Sequence, residues 1–214
     1  QFKALDDIEL NVDEGEIVCL LGRNGMGKST TVKCICGIIR PSKGSILFRG
    51  AAIRALSSFK IANMGIGLVP EGRRIFSNLT VHENLLSAQK KGYWNLSKVL
   101  DLFPVFKERL DQMSLTLSGG EQQMLSIGRA LMTNPNLLIL DEATEGLSPI
   151  VSEQVWRVIK SISKEGVSIL IIDKLSSRLS ALSHSAFLIE SGSTVWKGKM
   201  EQLTKSIASK HLGI

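Results

Sequence analysis

A chain of 214 residues with 43% apolar and 21% charged content can fill one globular core, and it is not the composition of a disordered chain. No apolar run is long enough for a membrane span and no secretory signal pattern is visible; the chain opens on Gln1, which reads as a trimmed fragment. The net charge of +6 suits a phosphate ligand, an anionic membrane or a plain solvated surface, while the lack of polybasic blocks and aromatic–basic alternation argues against nucleic acid.

In chain order, residues 16–21 (EIVCLL) read as a buried strand, followed by a glycine-rich turn and a helix from about Ser29 to Cys36. Gly37 closes that helix and Pro41 stops its resumption. Two short strands are expected at 44–50 (GSILFRG) and 65–70 (GIGLVP). From Glu71 to about Leu115 the pattern turns helical and more polar, as in TVHENLLSAQKK and NLSKVLDLFPVFKERL. Thr80 caps the first of these, with Glu83 as its capping-box partner. Strands return at 136–142 (NLLILDE), 167–173 (VSILIID) and 186–191 (AFLIES). Helices between them predict a mostly parallel sheet with an inserted helical lobe. Cys19, Cys34 and Cys36 sit in apolar segments without zinc spacing and read as reduced core thiols of a cytosolic protein. His82, His184 and His211 are scattered without ligand spacing, and the three tryptophans read as packing or lobe-surface residues.

Three motifs carry chemistry. GRNGMGKST (22–30) matches G-x-x-x-x-G-K-[ST] between a strand and a helix, the context of a phosphate loop. Gly22, Gly25 and Gly27, with Arg23, Asn24 and Met26 between them, let backbone N–H groups curl around an anion at a helix N-terminus. Lys28 can reach the β- and γ-phosphates, Ser29 can ligate Mg²⁺, and Thr30 can bond a phosphate. LLILDE (137–142) ends a strand in two acids: Asp141 can hold Mg²⁺ through water, and Glu142 can act as general base on the attacking water. LSGGEQQ (117–123) opens a helix, where Ser118 and exposed N–H groups form a second anion site. One nucleotide does not need two γ-phosphate sites in one chain, so the second serves ATP held by a facing subunit.

With these motifs the whole chain resembles the ATP-binding subunit of ABC transporters. The resemblance implies an α/β P-loop NTPase of ABC ATPase type, with a mostly parallel core, an inserted helical lobe and a small antiparallel N-terminal β portion. One nucleotide-binding domain would span 1–214, its core at 1–70 and about 132–214 and its lobe at about 71–131. Two such subunits, homo- or heterodimeric, would face head to tail, with two MgATP between each phosphate loop and the opposite Leu117, Ser118, Gly119, Gly120 and Glu121. TEGLSP (144–149) resembles the D-loop segment. VPEGRRIFSNLTVHENL (69–85) resembles the branched-chain amino acid importer branch, with Glu71 where most relatives have the Q-loop glutamine, able to accept Mg²⁺ or its water. The lesser alternative for Glu71, Arg73 and Arg74 is a solvated turn.

The resemblance further implies two transmembrane permease subunits, a substrate-binding protein acting indirectly, no nucleic acid, and a peripheral location on the cytoplasmic face of a prokaryotic inner membrane. Branched-chain amino acids are the expected cargo; an amide or urea importer, a non-transport ABC ATPase and a regulatory module that scarcely hydrolyses are the alternatives. The aromatic residue that stacks on adenine would fall upstream of Gln1, and Phe2 reads as core-facing. By register Lys174 stands where the family has a switch histidine or a glutamine. It reads as a catalytic donor to the γ-phosphate, as an ammonium held away by Asp173, or as a surface lysine.

Overall fold

The computed structural model describes residues 4–213, so Phe2 lies outside the described residues. A six-stranded sheet runs in the order β4-β5-β6-β1-β7-β8, with β1 at Ile17–Leu21, β4 at Ile66–Val69, β5 at Leu137–Asp141, β6 at Ser168–Ile172, β7 at Ser185–Glu190 and β8 at Ser193–Lys199. Every pairing is parallel except β7 with β8. β1, β5 and β6 are buried along their whole length. Unbroken apolar runs are what a sheet covered on both faces requires. Alternate residues split between two cores: Ile17, Cys19 and Leu21 pack on one side of the sheet, Val18 and Leu20 on the other. Burying each such side chain contributes roughly 1.5–3 kcal/mol.

The helices are α1 (Lys28–Ile35), α2 (Ser58–Asn63), α3 (Val81–Leu86), α4 (Leu96–Leu102), α5 (Gly119–Leu131), α6 (Pro149–Lys164), α7 (Ser177–Leu182) and α8 (Lys205–Leu212). Val32 and Cys36, in and just after α1, join the smaller core; α3, α4, α5 and α6 share the larger one. The three cysteines are free and buried, and burial pushes the Cys19 and Cys36 thiols up to about 12, so they are inert core groups.

Several expected elements differ in extent. The strand expected at 44–50 is reduced to β2 (Leu47–Phe48), paired antiparallel with β3 (Ala51–Ala52). The helix expected over TVHENLLSAQKK stops at Leu86, because the Ser87 hydroxyl turns back onto the Asn84 carbonyl and the Lys90 N–H leaves for Met132. Thr80 and Glu83 do form the capping box. β8 was not expected: its residues alternate only between intermediate and exposed, so the apolar signal is weak.

Candidate functional site

Parallel strands deliver their C-terminal ends to one edge of the sheet, where ligand sites of open α/β folds lie. β1 leads into the glycine loop, β4 ends at Val69 just before Glu71, β5 ends at Asp141, and β6 ends at Ile172 just before Asp173. Gly25 and Gly27 take φ values of 81° and 108°, a backbone region in which a side chain is strained. Gly22 lies so close to the Ile189 carbonyl that an added Cβ would sit 2.5 Å from that oxygen. Met26 is held by the β7–β8 turn: its carbonyl accepts the Gly192 N–H at 3.1 Å and its sulfur the Ser191 N–H at 3.2 Å. Asn24 is exposed, and Ser29 and Thr30 are half-buried on the first turn of α1.

Lys28 is 7% exposed, and its ammonium donates to the Gly22 carbonyl at 2.7 Å and the Arg23 carbonyl at 3.0 Å. Burial lowers its pKa, opposed by the charges of Glu142 and Asp141. Asp141 is 5% exposed, and burial, with Glu71 nearby, raises its pKa; Lys28, Lys33 and the Ser29 hydroxyl pull the other way. Its Oδ1 is buried with no hydrogen-bond partner among the described residues, a costly state for a carboxylate. An orphaned carboxylate oxygen beside the Ser29 hydroxyl, with Glu71 near, is a donor set that fits a hard cation such as Mg²⁺, which takes few protein ligands and completes its shell with phosphate and water.

Glu142 follows with φ 54°, a strained conformation for a side-chain-bearing residue, pinned by its N–H to the Ile172 carbonyl at 2.7 Å. Its carboxyl is pushed up to about 7, first by its hydrogen bond with Glu145, then by burial and the Glu145 charge. Glu145 moves down in turn, through its hydrogen bonds with Glu142 and Lys174. The Lys174 ammonium stands 3.4 Å from Glu145 Oε1. Asp173 does not hold that ammonium: its carboxylate accepts the Lys174 backbone N–H and the Thr144 hydroxyl, both at 2.7 Å. Glu142, Glu145 and Lys174 line one pocket of about 280 Å³.

The LSGGEQQ segment caps α5. Ser118 Oγ accepts the Glu121 N–H at 3.4 Å, and the Ser118 N–H donates to the Glu121 carboxylate at 2.8 Å. Glu121 also takes Arg109 at 2.6 Å, so its carboxylate is engaged by the cap and this ion pair. Leu117 is 5% exposed and turns its side chain into the larger core. Gly120 makes room for Val151 of α6. Gly119 faces Arg73, whose guanidinium would lie 2.6–2.8 Å from an added Cβ. No hydrogen bond or ion pair among the described residues joins 117–121 to the glycine loop.

Sequence reasoning missed two residues that organise this region. Asn84, fully buried, accepts the Phe76 N–H and donates to the Phe76, Leu79 and Thr80 carbonyls. Arg129 on α5 bonds Asn84 and the Arg74 carbonyl and covers the Phe76 ring. Together they tie the loop bearing Glu71 and Arg73 to α5, across 45 and 55 residues. Nothing local signals such contacts. His184 and His211 are structural, as expected: one accepts the Ile17 N–H and the other pairs with Glu190.

A glycine loop between β1 and α1, with an acid-tipped strand, β5, one strand away across β6, defines a P-loop NTPase. Residues 5–145 match the ABC transporter family. The high-affinity branched-chain amino acid transport ATP-binding protein BraG of Pseudomonas aeruginosa is 44% identical over 91% of this chain and 86% of its own length. The lipopolysaccharide export system ATP-binding protein LptB of Haemophilus influenzae is 32% identical over 94% of the chain and 86% of its own. The ADP conformation of MJ1267, an ATP-binding cassette of an ABC transporter, superposes with a TM-score of 0.86 at 24% identity, covering 99% of this chain and 92% of that one, which speaks to the fold. The chain belongs to the ABC transporter family, and it is an ABC-type ATPase, of the class whose ATP hydrolysis powers transport.

Proposed function

We propose that this chain binds and hydrolyses MgATP as the motor subunit of an importer for branched-chain or related amino acids. The observation that carries the chemistry is the convergence of Lys28, Ser29, Asp141 and Glu142 on one sheet edge, with Asp141 Oδ1 buried and unpartnered. Lys28 exchanges two backbone carbonyls for phosphate oxygens. Asp141 and Ser29, with Glu71 near, would hold Mg²⁺, which supplies charge neutralisation at the phosphate oxygens when bound. Glu142 takes the proton of the attacking water, and Lys174 stabilises charge developing on the γ-phosphate once it leaves Glu145.

Ser118 and Gly119 serve the nucleotide of a facing subunit. That no hydrogen bond or ion pair among the described residues joins them to the glycine loop supports this reading, as does the dimeric ABC cassette MJ0796, similar to this chain with a TM-score of 0.79. Two permease subunits would take up the stroke at the cytoplasmic face of a membrane; no helix among the described residues is long and apolar enough to cross it. We divide the single domain into a core at 1–70 and about 132–214 and a lobe at about 71–131.

The cargo rests on the 44% identity to BraG. The 32% identity to LptB is the observation behind a second reading, export of a lipopolysaccharide. Uptake of labelled leucine, isoleucine and valine decides between them. Loss of uptake on deleting the gene, restored by wild type but not by Lys28→Ala, supports import. Normal uptake with defective lipopolysaccharide export supports the second reading.

A further inference from the structure

α8 lies outside every motif above, yet its last turn reaches the phosphate loop. The Arg23 Nε–H donates to the Leu212 carbonyl at 3.3 Å. That carbonyl is at the end of α8, where unpaired carbonyls and the helix dipole favour a cation. Gly213 follows at φ 73°, capping the helix by its N–H to the Ser209 carbonyl at 3.1 Å. An added Cβ on Gly213 would land on the Arg23 guanidinium. One residue before Leu212, His211 Nδ1 pairs with Glu190 at 3.0 Å, next to the turn that holds Met26.

Arg23 therefore faces two ways. Its side chain is tethered to α8, and its backbone carbonyl is one of the two acceptors of the Lys28 ammonium. Other outer supports of the loop, Ile189 at Gly22 and Gly192 at Met26, come from the sheet and its turn, and Ala4 and Leu5 close on Gly27. The support at Arg23 comes from a single short helix.

We propose that α8 is a clasp on the phosphate loop: Arg23, through Leu212, fixes the backbone of the loop beside Lys28, and moving α8 changes nucleotide affinity. Arg23 is a positioning residue here, and its effect runs through backbone held by Leu212 rather than through its charge at the phosphates. The inference rests on the reading of residues 22–30 as the nucleotide site.

The test is a double-mutant cycle read by calorimetric MgADP affinity of the full chain. Arg23→Ala removes the donor. Gly213→Pro cannot adopt φ 73°, loses the capping N–H and drives Leu212 out of helical geometry, while leaving Arg23 intact. Each should weaken MgADP about three- to tenfold, the scale of one partly exposed charge-assisted hydrogen bond. The double variant should be no weaker than the worse single one, since both break one contact. Arg23→Lys, which keeps a donor, should recover part of the affinity. If Gly213→Pro melts early, Gly213→Ala, whose Cβ displaces the guanidinium, replaces it with the same expected loss. Wild-type affinity in the Gly213 variants, or losses that add in the double variant, overturns the clasp. A wild-type chain that binds no MgADP overturns instead the nucleotide site on which it rests.

Discussion

The strand edge and the start of α5, the two regions proposed to bind anions, are built to different degrees of completion. At the strand edge Lys28 and Asp141 are buried at 7% and 5% exposure, and the loop is braced from several directions. At α5 the Ser118 oxygen and Glu121 are occupied by the cap, and Gly119 faces a half-buried Arg73 for which no hydrogen bond or ion pair is found among the described residues. A cation resting at the positive end of a helix is poorly placed without an anion. On the proposed reading one region holds a nucleotide by itself; the other has donors but no glycine loop, and its one acid, Glu121, is engaged by the cap. That asymmetry is what a site shared between two chains requires, and variants that damage one region only should expose it.

The largest effect is expected at the strand edge. Glu142→Gln keeps shape and removes the base, so hydrolysis should fall roughly 10²–10⁴-fold while MgATP binding survives. Turnover at the wild-type rate would assign the base elsewhere. Lys28→Ala removes the buried ammonium, and calorimetry should show MgATP affinity falling about 10–100-fold. Unchanged affinity would remove Lys28 from the site.

Much of this region was legible because it is local. The glycines, Lys28 and Ser29 are consecutive, and the acid tip of β5 follows an apolar run that only a buried strand explains. The Thr80–Glu83 box was readable for the same reason. What escaped depends on strands becoming neighbours. Pairing of Asp141 with Ile172 is what sets Glu145 beside Lys174, 29 residues away. β8 gains its meaning only from β7, and Arg23 meets Leu212 across 189 residues. Asp173 was a reasonable partner for Lys174 by adjacency, but Thr144 and the Lys174 backbone N–H claim its carboxylate.

The Lys174–Glu145 pair sharpens the comparison at smaller scale, since both side chains are more than half exposed. Lys174→Ala should lower hydrolysis about tenfold with little loss of MgATP affinity, and Lys174→Gln should retain much of the rate. Equal rates for Lys174→Ala and wild type would leave it a surface lysine. Glu145→Gln tests the carboxyl pair by pH. Glu142 must be ionised to act, and Glu145 helps push it up to about 7, so hydrolysis should rise through that pH and the rise should move lower in Glu145→Gln. Stability follows with opposite benefit. A raised folded pKa means the folded chain binds more protons, so stability present below about 4.5 is lost as pH rises through about 7. Glu145→Gln should therefore raise the melting temperature at pH 8 more than at pH 5. An unshifted pH–rate profile would show that the two carboxyls do not act on each other.

The shared site itself is tested most directly by mixing two damaged chains. Gly119→Asp puts a carboxylate beside Arg73 and into the anion seat, so that chain should bind MgATP and fail to hydrolyse it alone. Lys28→Ala should be inactive alone at MgATP concentrations that saturate the wild type but not the weakened site. Mixed, they leave one intact site, formed by the phosphate loop of the first and the Ser118–Gly119 segment of the second. The account predicts that hydrolysis, near zero in either chain, returns on mixing and reaches its maximum near equimolar ratio. A mixture as inactive as its parts, or full activity of Gly119→Asp alone, would contradict it.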